Sequence, residues 1–388
     1  MGRSKRKTSR NTAAAAAAVA VLPISELPDH IISDILSRLP LNSIFACKRV
    51  CKVWRDITLE PYFAKLHLSR SPLSFISYRN GNNNGDNDIN SSSQSHFEIL
   101  QLHDPPVLGR HNPTMKFTTE IYFPHLQIVA SCNGSILLSN YLSNYGLVIV
   151  CNPLRAQHLI LPEPPNLAVK KYAFVRFGFG YTPATDQYKV LRLIITGKPR
   201  RLDIEIYTIG IDDEWRSIGD TVQLPSGFIS KIIFLNGVLH WLDFEFPRVI
   251  CYFDIEKEQF GSFPLPFQLE NSVLHLGVLH NWLYIIDGRK CWMMKDYGDI
   301  GSWILEWVIE PCAHTFKGHV NPLKMLKDGT VLMMFKNSSP RKNATETTLA
   351  SYNPQTRVLK KIKDRGNLLL GDSVTDVPCF FSPMDALK

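Results

Sequence analysis

The sequence predicts an α+β multidomain chain in which a small N-terminal three-helix segment precedes an all-β propeller with kelch-like blades. Three observations support this fold class. Residues 24–67 place apolar side chains at helical spacing between prolines. From about residue 97, short β-rich runs alternate with turn signals such as Asn133-Gly134 and Asn236-Gly237. Similar units also recur at roughly 45–58 residues, the spacing expected of such blades.

Composition indicates a folded chain outside the membrane. Of the 388 residues, 45% are hydrophobic and 20% are charged, which is ordinary for a domain with a sizeable core. No run approaches the roughly 18 consecutive apolar residues that a membrane helix needs. The alanine tract at 13–18 is too short and too weakly apolar for a span or a signal peptide, and Pro23 interrupts it. We expect a soluble protein of the cytoplasm, the nucleus or both, without a membrane partner.

Residues 1–22 are basic and then alanine-rich, and we expect a disordered tail here. The formal net charge is +8, and five basic residues of the tail contribute to it: Arg3, Lys5, Arg6, Lys7 and Arg10. The remaining charge of +3 does not indicate a basic face on the folded part, so nucleic acid is not expected as a partner. The tail is either a nuclear-import signal or a solvated segment, and the second interpretation is favoured.

The cysteines indicate reduced thiols. Eight are scattered along the chain without a CxxC pair, and no histidine lies at zinc-ligand spacing beside one. Several lie in apolar runs, as Cys251 does. Buried thiols of a cytosolic or nuclear protein explain this pattern, and we predict no metal and no cofactor.

The helices of residues 24–67 are marked by their punctuation. Pro28 suits the first turn of a helix, and Pro40 ends that helix. Asn42 or Ser43 is expected to cap the second helix, and a third is expected over 61–66. The apolar faces of the first two helices contain Ile31, Ile32, Ile35, Leu36 and Leu39, then Ile44, Cys47, Val50, Cys51 and Trp54. So small a unit cannot bury these side chains within itself. It is therefore either a docking module or a helical cap on the next domain.

The motif Leu27-Pro28, followed by 35–40 (ILSRLP) and 50–55 (VCKVWR), resembles an F-box over its whole length and with the usual spacing. The resemblance implies binding to the SKP-family adaptor of a cullin–RING ubiquitin ligase. The positions that it assigns to this contact are Leu27, Pro28, Ile31, Ile35, Leu36, Leu39, Pro40, Leu41, Ile44, Val50, Cys51 and Trp54. Some of them face the adaptor and others hold the helices together, and the sequence does not sort them.

Residues 70–385 are assigned to the propeller. Within them, 79–95 are almost entirely Asn, Gly, Asp and Ser, and we predict a mobile surface loop. Five repeats are visible. The expected strands at 73–78 and 97–102, with a C-terminal strand near 377–381, supply a sixth blade that closes the ring. Five or seven blades, and a β-sandwich, stay open as alternatives.

The second part resembles the F-box-associated domain of plant F-box proteins. The phrases that carry the resemblance lie at 131–134 (SCNG), 151–153 (CNP), 177–181 (FGFGY), 186–190 (DQYKV), 235–241 (LNGVLHW) and 293–298 (MMKDYG). It implies a plant source and a propeller that binds a target protein. Neither the resemblance nor the residues identify the positions that bind this target.

No pattern supports catalysis. The Gly-x-Gly of 177–180 lacks a third glycine and a following helix, so it favours tight packing over nucleotide binding. The scattered histidines form no HxH or HExxH motif: His240, His275, His280, His314 and His319. A GxSxG serine motif is absent from the sequence as well. We predict no catalytic and no metal-binding residues.

Two features are weighed as partner contacts. The tryptophans near strands are expected mainly in blade cores, although one at a rim would suit a partner. The six concerned are Trp215, Trp241, Trp282, Trp292, Trp303 and Trp307. The basic turn at 198–201 suits an acidic target, but a solvated turn is the favoured interpretation.

These observations predict a non-enzymatic adaptor that joins a target protein to a cullin and RING ubiquitin ligase through its SKP-family subunit. Two alternatives remain. The protein either sequesters its partner without degradation, or its propeller binds a small ligand at its axis.

Overall fold

The computed structural model describes most of the chain. The described residues are 27–79, 95–102, 115–119, 121, 123, 126–140, 146–165, 174–196, 201–218, 229–244, 248–266, 269, 274–309, 319–339, 344–362 and 373–387. The predicted tail at 1–22 and residues 80–94 of the predicted mobile loop lie outside them. None of the described helices is long and apolar enough to cross a membrane.

The N-terminal helical segment (27–71) contains short helices, as predicted. They are α1 (Asp29–Leu36), α2 (Leu41–Cys47), α3 (Lys52–Ile57) and α4 (Pro61–Arg70). The second predicted helix is divided, because the chain leaves helical geometry between Lys48 and Cys51. The expected cap at Asn42 or Ser43 is wrong: α2 begins at Leu41, directly after Pro40. The last helix also runs beyond the predicted 61–66.

The described strands form six four-stranded antiparallel sheets, each a blade. Blade 1 contains β4 (Gln127–Cys132), β5 (Ser135–Ser139), β6 (Val148–Asn152) and β7 (Gln157–Ile160). Blade 2 contains β8 (Phe174–Thr182), β9 (Gln187–Thr196), β10 (Arg201–Thr208) and β11 (Arg216–Ser217). Blade 3 contains β12 (Ile233–Leu235), β13 (Val238–Asp243), β14 (Val249–Asp254) and β15 (Gln259–Pro264).

Blade 4 contains β16 (Leu274–Leu279), β17 (Trp282–Asp287), β18 (Lys290–Met294) and β19 (Trp303–Val308). Blade 5 contains β20 (His319–Met325), β21 (Val331–Ser339), β22 (Ala344–Asn353) and β23 (Val358–Lys361). Blade 6 joins the two ends of the domain and contains β24 (Ser373–Asp376), β1 (Ser74–Arg79), β2 (His96–Gln101) and β3 (Met115–Thr118). The six-bladed propeller is therefore confirmed, and the sandwich alternative is excluded.

Strand β24 closes the ring by pairing with β1, so that Ser74 faces Asp376 and Ile76 faces Val374. The prediction that this strand lies near 377–381 is wrong by a few residues. The closing strand ends at Asp376, and the following residues leave the sheet. These residues are apolar, which suggested a strand, but they pack against the helical segment.

The hairpins between the first two strands of several blades need left-handed backbone at their turns. Asn133 and Gly134 have φ of 49° and 72°, and Asn236 and Gly237 have φ of 50° and 82°. Asn-Gly is the dipeptide that most readily adopts two positive φ values in a two-residue hairpin. The turn signals of the sequence therefore correspond to the blade turns.

Gly178 and Gly180 of β8 lie against blade 3. A Cβ on Gly180 would lie 2.1 Å from the Ile255 side chain, and one on Gly178 would lie 2.7 Å from Leu239. These glycines allow two blades to approach closely, as the sequence interpretation favoured.

The helical segment packs against blades 6 and 1 through one apolar cluster. Leu36, Ile44 and Phe63 of the helices share it with strand residues such as Ile76 and Ile136. Phe380, which follows the closing strand, is fully buried between them. The helices thus depend on the propeller for part of their core.

Candidate adaptor-docking surface

Helix α1 is held by the two helices that pack against it, α3 and α4. Asp34 of α1 accepts hydrogen bonds from Arg38 at 3.0 Å and from Arg70 of α4 at 2.7 Å. The hydrogen bonds from Arg38 and Arg70 lower the pKa of the Asp34 carboxyl. Arg70 also donates to the Ser37 hydroxyl at 2.6 Å. These contacts connect the two ends of the helical segment and fix the face of α1 that points outward.

The structure separates the predicted adaptor-binding residues into three groups. Leu36, Leu41 and Ile44 are buried, with at most 2% exposed, and they form the core. Leu27, Leu39 and Trp54 are half-buried and pack against that core. Six are exposed: Pro28, Ile31, Ile35, Pro40, Val50 and Cys51.

The exposed group includes side chains that normally avoid water. Ile31 and Ile35 lie one turn apart on α1 and are 39% and 45% exposed, while Val50 is 65% exposed. Positions i and i+4 lie on the same face of a helix. Ile31 and Ile35 therefore form an apolar face of α1 that the described residues leave partly uncovered, and Val50, which precedes α3, is a further exposed apolar side chain.

The sequence interpretation missed three further exposed apolar residues in the same segment. Val53, Leu59 and Tyr62 are 54%, 42% and 57% exposed. Helical spacing gave no signal for Val53, because the chain leaves helical geometry between Lys48 and Cys51. Leu59 and Tyr62 lie at the junction of α3 and α4, outside the motif that guided the assignment.

Basic side chains in and just before α3 are also exposed. Arg49, Lys52 and Arg55 are all exposed around α3. Positive charge beside an apolar patch favours a partner whose contact surface is apolar and acidic.

The seam between α4 and the propeller contains buried aromatic rings. His67 is buried, and its ring lies 5.8 Å from that of Phe63 and 5.0 Å from that of Phe380. Burial lowers the pKa of His67 to about 4. Lys48 lies above the Phe380 ring at 5.4 Å, and burial, followed by the charge of Arg155, lowers its pKa.

A central cavity of about 550 Å³ lies at the propeller axis and is lined by the first strand of every blade. Its polar lining residues include Ser131, Asn133, Asn321 and Asp376. Asp376 accepts hydrogen bonds from the backbone N–H groups of Gly134 and Val377, yet burial raises its pKa to about 6. Polar groups at the axis were absent from the sequence interpretation, because only ring closure brings six distant strands together.

The histidines named in the sequence analysis lie in different parts of the propeller domain. His240 is buried, its Nε2 lies 2.7 Å from the Tyr297 hydroxyl, and burial lowers its pKa to about 3. His280 lies in an exposed hairpin turn, and His314 lies outside the described residues. Among the residues that the structure describes, no three His, Cys, Asp or Glu side chains are grouped as metal ligands would be.

The tryptophans lie mainly in blade cores, as expected. Five of the six are buried: Trp215, Trp241, Trp292, Trp303 and Trp307. Trp282 is half-buried, and the Lys295 ammonium lies 4.0 Å from the centre of its ring. Most of the basic turn, 198–200, lies outside the described residues.

Comparison with known proteins agrees with this two-part organisation. Residues 24–68 match the F-box-like family, and residues 84–364 match the F-box associated beta propeller domain. The second match alone covers more than half of the chain.

Relatives from Arabidopsis thaliana have the same character. The chain is 29% identical to F-box protein At3g07870 over 74% of its length and 73% of the relative's. It is 24% identical to F-box/kelch-repeat protein At3g23880, over 71% and 78% of the two chains. F-box protein DOR is 27% identical, over 61% and 60%. The chain therefore belongs to the plant F-box proteins that carry a C-terminal F-box associated beta-propeller domain.

Proposed function

We propose that this protein is the target-recognition subunit of an SCF-type cullin–RING ubiquitin ligase. The F-box binds the SKP-family adaptor, which connects it to the cullin and RING subunits, and the propeller binds a target protein. The observation that carries the proposal is the exposed apolar face of α1, formed by Ile31 and Ile35, together with the exposed Val50. Such a surface on a folded helix favours a protein partner.

The mechanism requires no bond chemistry from this chain. A target held by the propeller stays near the ubiquitin-charged enzyme, so that transfer proceeds at a high effective concentration. The protein therefore acts as an adaptor and not as an enzyme.

The proposal assigns different roles to the predicted motif residues. Ile31, Ile35 and Val50 contact the adaptor, together with the exposed prolines and Cys51. Leu36, Leu41 and Ile44 keep the helices folded, because they are buried within the protein itself. Val53, which follows Val50 by three positions and is also exposed, is assigned to the same contact group.

Binding of purified SKP-family adaptor to Ile35→Asp tests the contact. A carboxylate in an apolar interface without a partner is expected to weaken binding by at least tenfold, equivalent to about 1.4 kcal/mol. Ile160→Asp is the matched control, because Ile160 is 46% exposed on β7 and Ile35 is 45% exposed. The control is expected to bind like the parent. Equal affinity of both variants and the parent would contradict the proposal.

Sequestration without degradation is distinguished from the proposed function by what happens to the bound protein. Sequestration without degradation predicts that the abundance of captured proteins is unchanged when the proteasome is inhibited. The degradation function predicts that it rises. This comparison uses the intact chain and the Ile35→Asp variant side by side.

The central cavity favours a second candidate, a propeller that also binds a small ligand. Its volume of about 550 Å³ lies within the range of small-molecule pockets, and its lining combines apolar side chains with polar ones such as Asn321 and Asp376. Native mass spectrometry of protein from plant cells tests this candidate. A mass retained in the native state and lost on denaturation, and absent in Asn321→Trp, is the expected result for a ligand in the cavity.

A further inference from the structure

The C-terminal segment (377–387) contacts both the F-box and the propeller. It follows the closing strand and contains a 3-10 turn at its end (Pro383–Leu387). Successive residues of its extended part point to different sides. Phe380 packs among the F-box rings, whereas Phe381 lies 6.0 Å from the rings of Tyr181 and Tyr188 in blade 2.

The contact with the F-box includes the Phe380 ring and the Cys379 thiol. The Phe380 ring lies 5.4 Å from Phe63 and 5.9 Å from Phe45, and it is 0% exposed. The Cys379 thiol lies 3.5 Å from the carbonyl oxygen of Ala64, to which it donates. A ring in contact with both α2 and α4 fills the space where these helices face the propeller.

Besides the apolar contact of Phe381, polar contacts with the propeller order the backbone of the segment. The Asn152 side-chain amide donates to the carbonyl oxygens of Cys379 at 3.0 Å and Phe381 at 2.7 Å. The side-chain Oδ1 of Asn152 accepts a hydrogen bond from the N–H of Leu154, which fixes the orientation of the side-chain amide. Arg155, almost buried, donates to Asp385 at 2.5 Å and to the Phe380 carbonyl at 3.4 Å.

We propose that Phe380 is a positioning residue which, held by Asn152 and Arg155, sets the orientation of the F-box relative to the propeller. The backbone on both sides of Phe380 is anchored to blade 1, so its ring has a fixed place on the propeller. Because α2 and α4 pack on that ring, it orients the F-box together with the direct contact between Phe45 and Phe117 of β3, whose rings lie 5.3 Å apart. The consequence for ubiquitin transfer, a fixed distance between adaptor and target, rests on the proposed function.

The orientation itself is measurable on the free full-length chain by the distance between two spin labels. Cys51 is exposed on the F-box, and Lys360→Cys adds an exposed site on β23 of blade 5. Cys47→Ser and Cys312→Ser complete the labelling background. The background protein is expected to give one narrow distance distribution.

Phe380→Ala is expected to widen that distribution at least twofold, and Phe380→Leu, which retains an apolar wedge, is expected to restore it. Phe253→Ala is the matched control, because Phe253 is also a fully buried phenylalanine but packs within blade 3 against Phe260. It is expected to lower stability and to leave the distance unchanged. If Phe380→Ala does not fold, Phe380→Val takes its place with the same expectation.

A narrow, unchanged distribution in the Phe380 variant would overturn the proposal, as would equal widening in the Phe253 control. The measurement involves no adaptor. Failure of the Ile35→Asp binding test would therefore contradict the ligase function and leave the positioning role intact. Adaptor affinity of Phe380→Ala is expected within threefold of the parent, because Ile31 and Ile35 lie on the exposed face of α1.

Discussion

Gly134 lies directly against the backbone of Cys379. A Cβ on Gly134 would lie 2.3 Å from the Cys379 nitrogen and 2.7 Å from the Val377 carbonyl oxygen. The glycine also has a φ of 72°, and its N–H donates to Asp376 at 3.3 Å. One blade turn therefore receives the C-terminal segment at the point where it leaves the closing strand.

Gly134→Ala is expected to destabilise the protein through two effects. Left-handed backbone costs a non-glycine residue about 1–2 kcal/mol, and displacing packed backbone adds about 1–3 kcal/mol. Gly237→Ala is the matched control: it occupies the equivalent turn of blade 3 at φ 82°, but nothing lies within 4 Å of its Cβ position. Urea denaturation is expected to give the larger loss for Gly134→Ala. Equal losses would show that the contact with Cys379 contributes nothing.

Acidification is expected to weaken the seam between the F-box and the propeller through His67. Its pKa is about 4 in the folded protein, because it is buried, and about 6.5 when unfolded. The unfolded chain then binds more protons below pH 6.5, so this contribution to stability is complete above pH 6.5 and is lost as pH falls towards 4.

Between pH 7.5 and 5.0 the loss from His67 is about 2 kcal/mol. His67→Leu cannot take up this proton. Its free energy of unfolding, measured by urea denaturation at the two pH values, is expected to fall by about 2 kcal/mol less than that of the parent. The same decrease in both proteins would exclude His67 as a source of the pH dependence.

The sequence predicted the parts of the structure that depend on local pattern. Helical spacing identified α1, and Asn133-Gly134 and Asn236-Gly237 identified blade turns, because both depend on residues that are neighbours in the chain. The motif also located the candidate adaptor-docking surface, but not which of its residues are exposed. Leu36 and Ile35 are adjacent and equally apolar, and only the packing of α3 and α4 decides that one is buried.

Contacts between distant residues were not predictable in this way. Phe380 and Phe63 are separated by most of the chain, and the apolar run at 377–381 resembles a strand. Its true role depends on the end of β24 at Asp376 and on the anchoring amide of Asn152. The cavity at the axis likewise combines six strands whose polar residues show no common spacing.

A buried ion pair in blade 2 offers a test of how charge is accommodated in the propeller. Arg192 donates to Glu205 at 2.7 Å across the β9–β10 pair, and both side chains are less than 5% exposed. Glu205→Gln removes one charge and leaves the other buried, which is expected to cost about 3–5 kcal/mol. The measurement is the midpoint and slope of urea denaturation.

The double variant Arg192→Met/Glu205→Leu removes both charges and keeps the volume apolar. It is expected to be within about 1 kcal/mol of the parent or more stable, because the cost of burying charge disappears with the pair. A double variant as unstable as Glu205→Gln would indicate that the attraction within the pair exceeds the cost of burying its two charges.

Removal of the residues after Asp376 is expected to expose the F-box core while the ring remains closed. Strand β24 ends at Asp376 and keeps its pairing with β1. The deletion exposes the ring of Phe63, which packs on Phe380, and it removes the hydrogen bond from the Cys379 thiol to the Ala64 carbonyl oxygen. Loss of a buried phenylalanine alone costs about 3–5 kcal/mol. Limited proteolysis is therefore expected to cleave within 27–71 faster in this deletion than in the parent.

A shorter deletion distinguishes the role of Phe380 from the role of the residues after Ser382. Stopping after Ser382 removes the Arg155–Asp385 ion pair and retains Phe380 and both Asn152 hydrogen bonds. Since burial of the Phe380 ring is the larger contribution, this variant is expected to resist protease nearly as well as the parent. Rapid cleavage of 27–71 in the shorter deletion would instead indicate that Asp385 is needed to hold the F-box on the propeller. Equal resistance of both deletions would mean that the helices hold their place on blades 6 and 1 without the C-terminal segment.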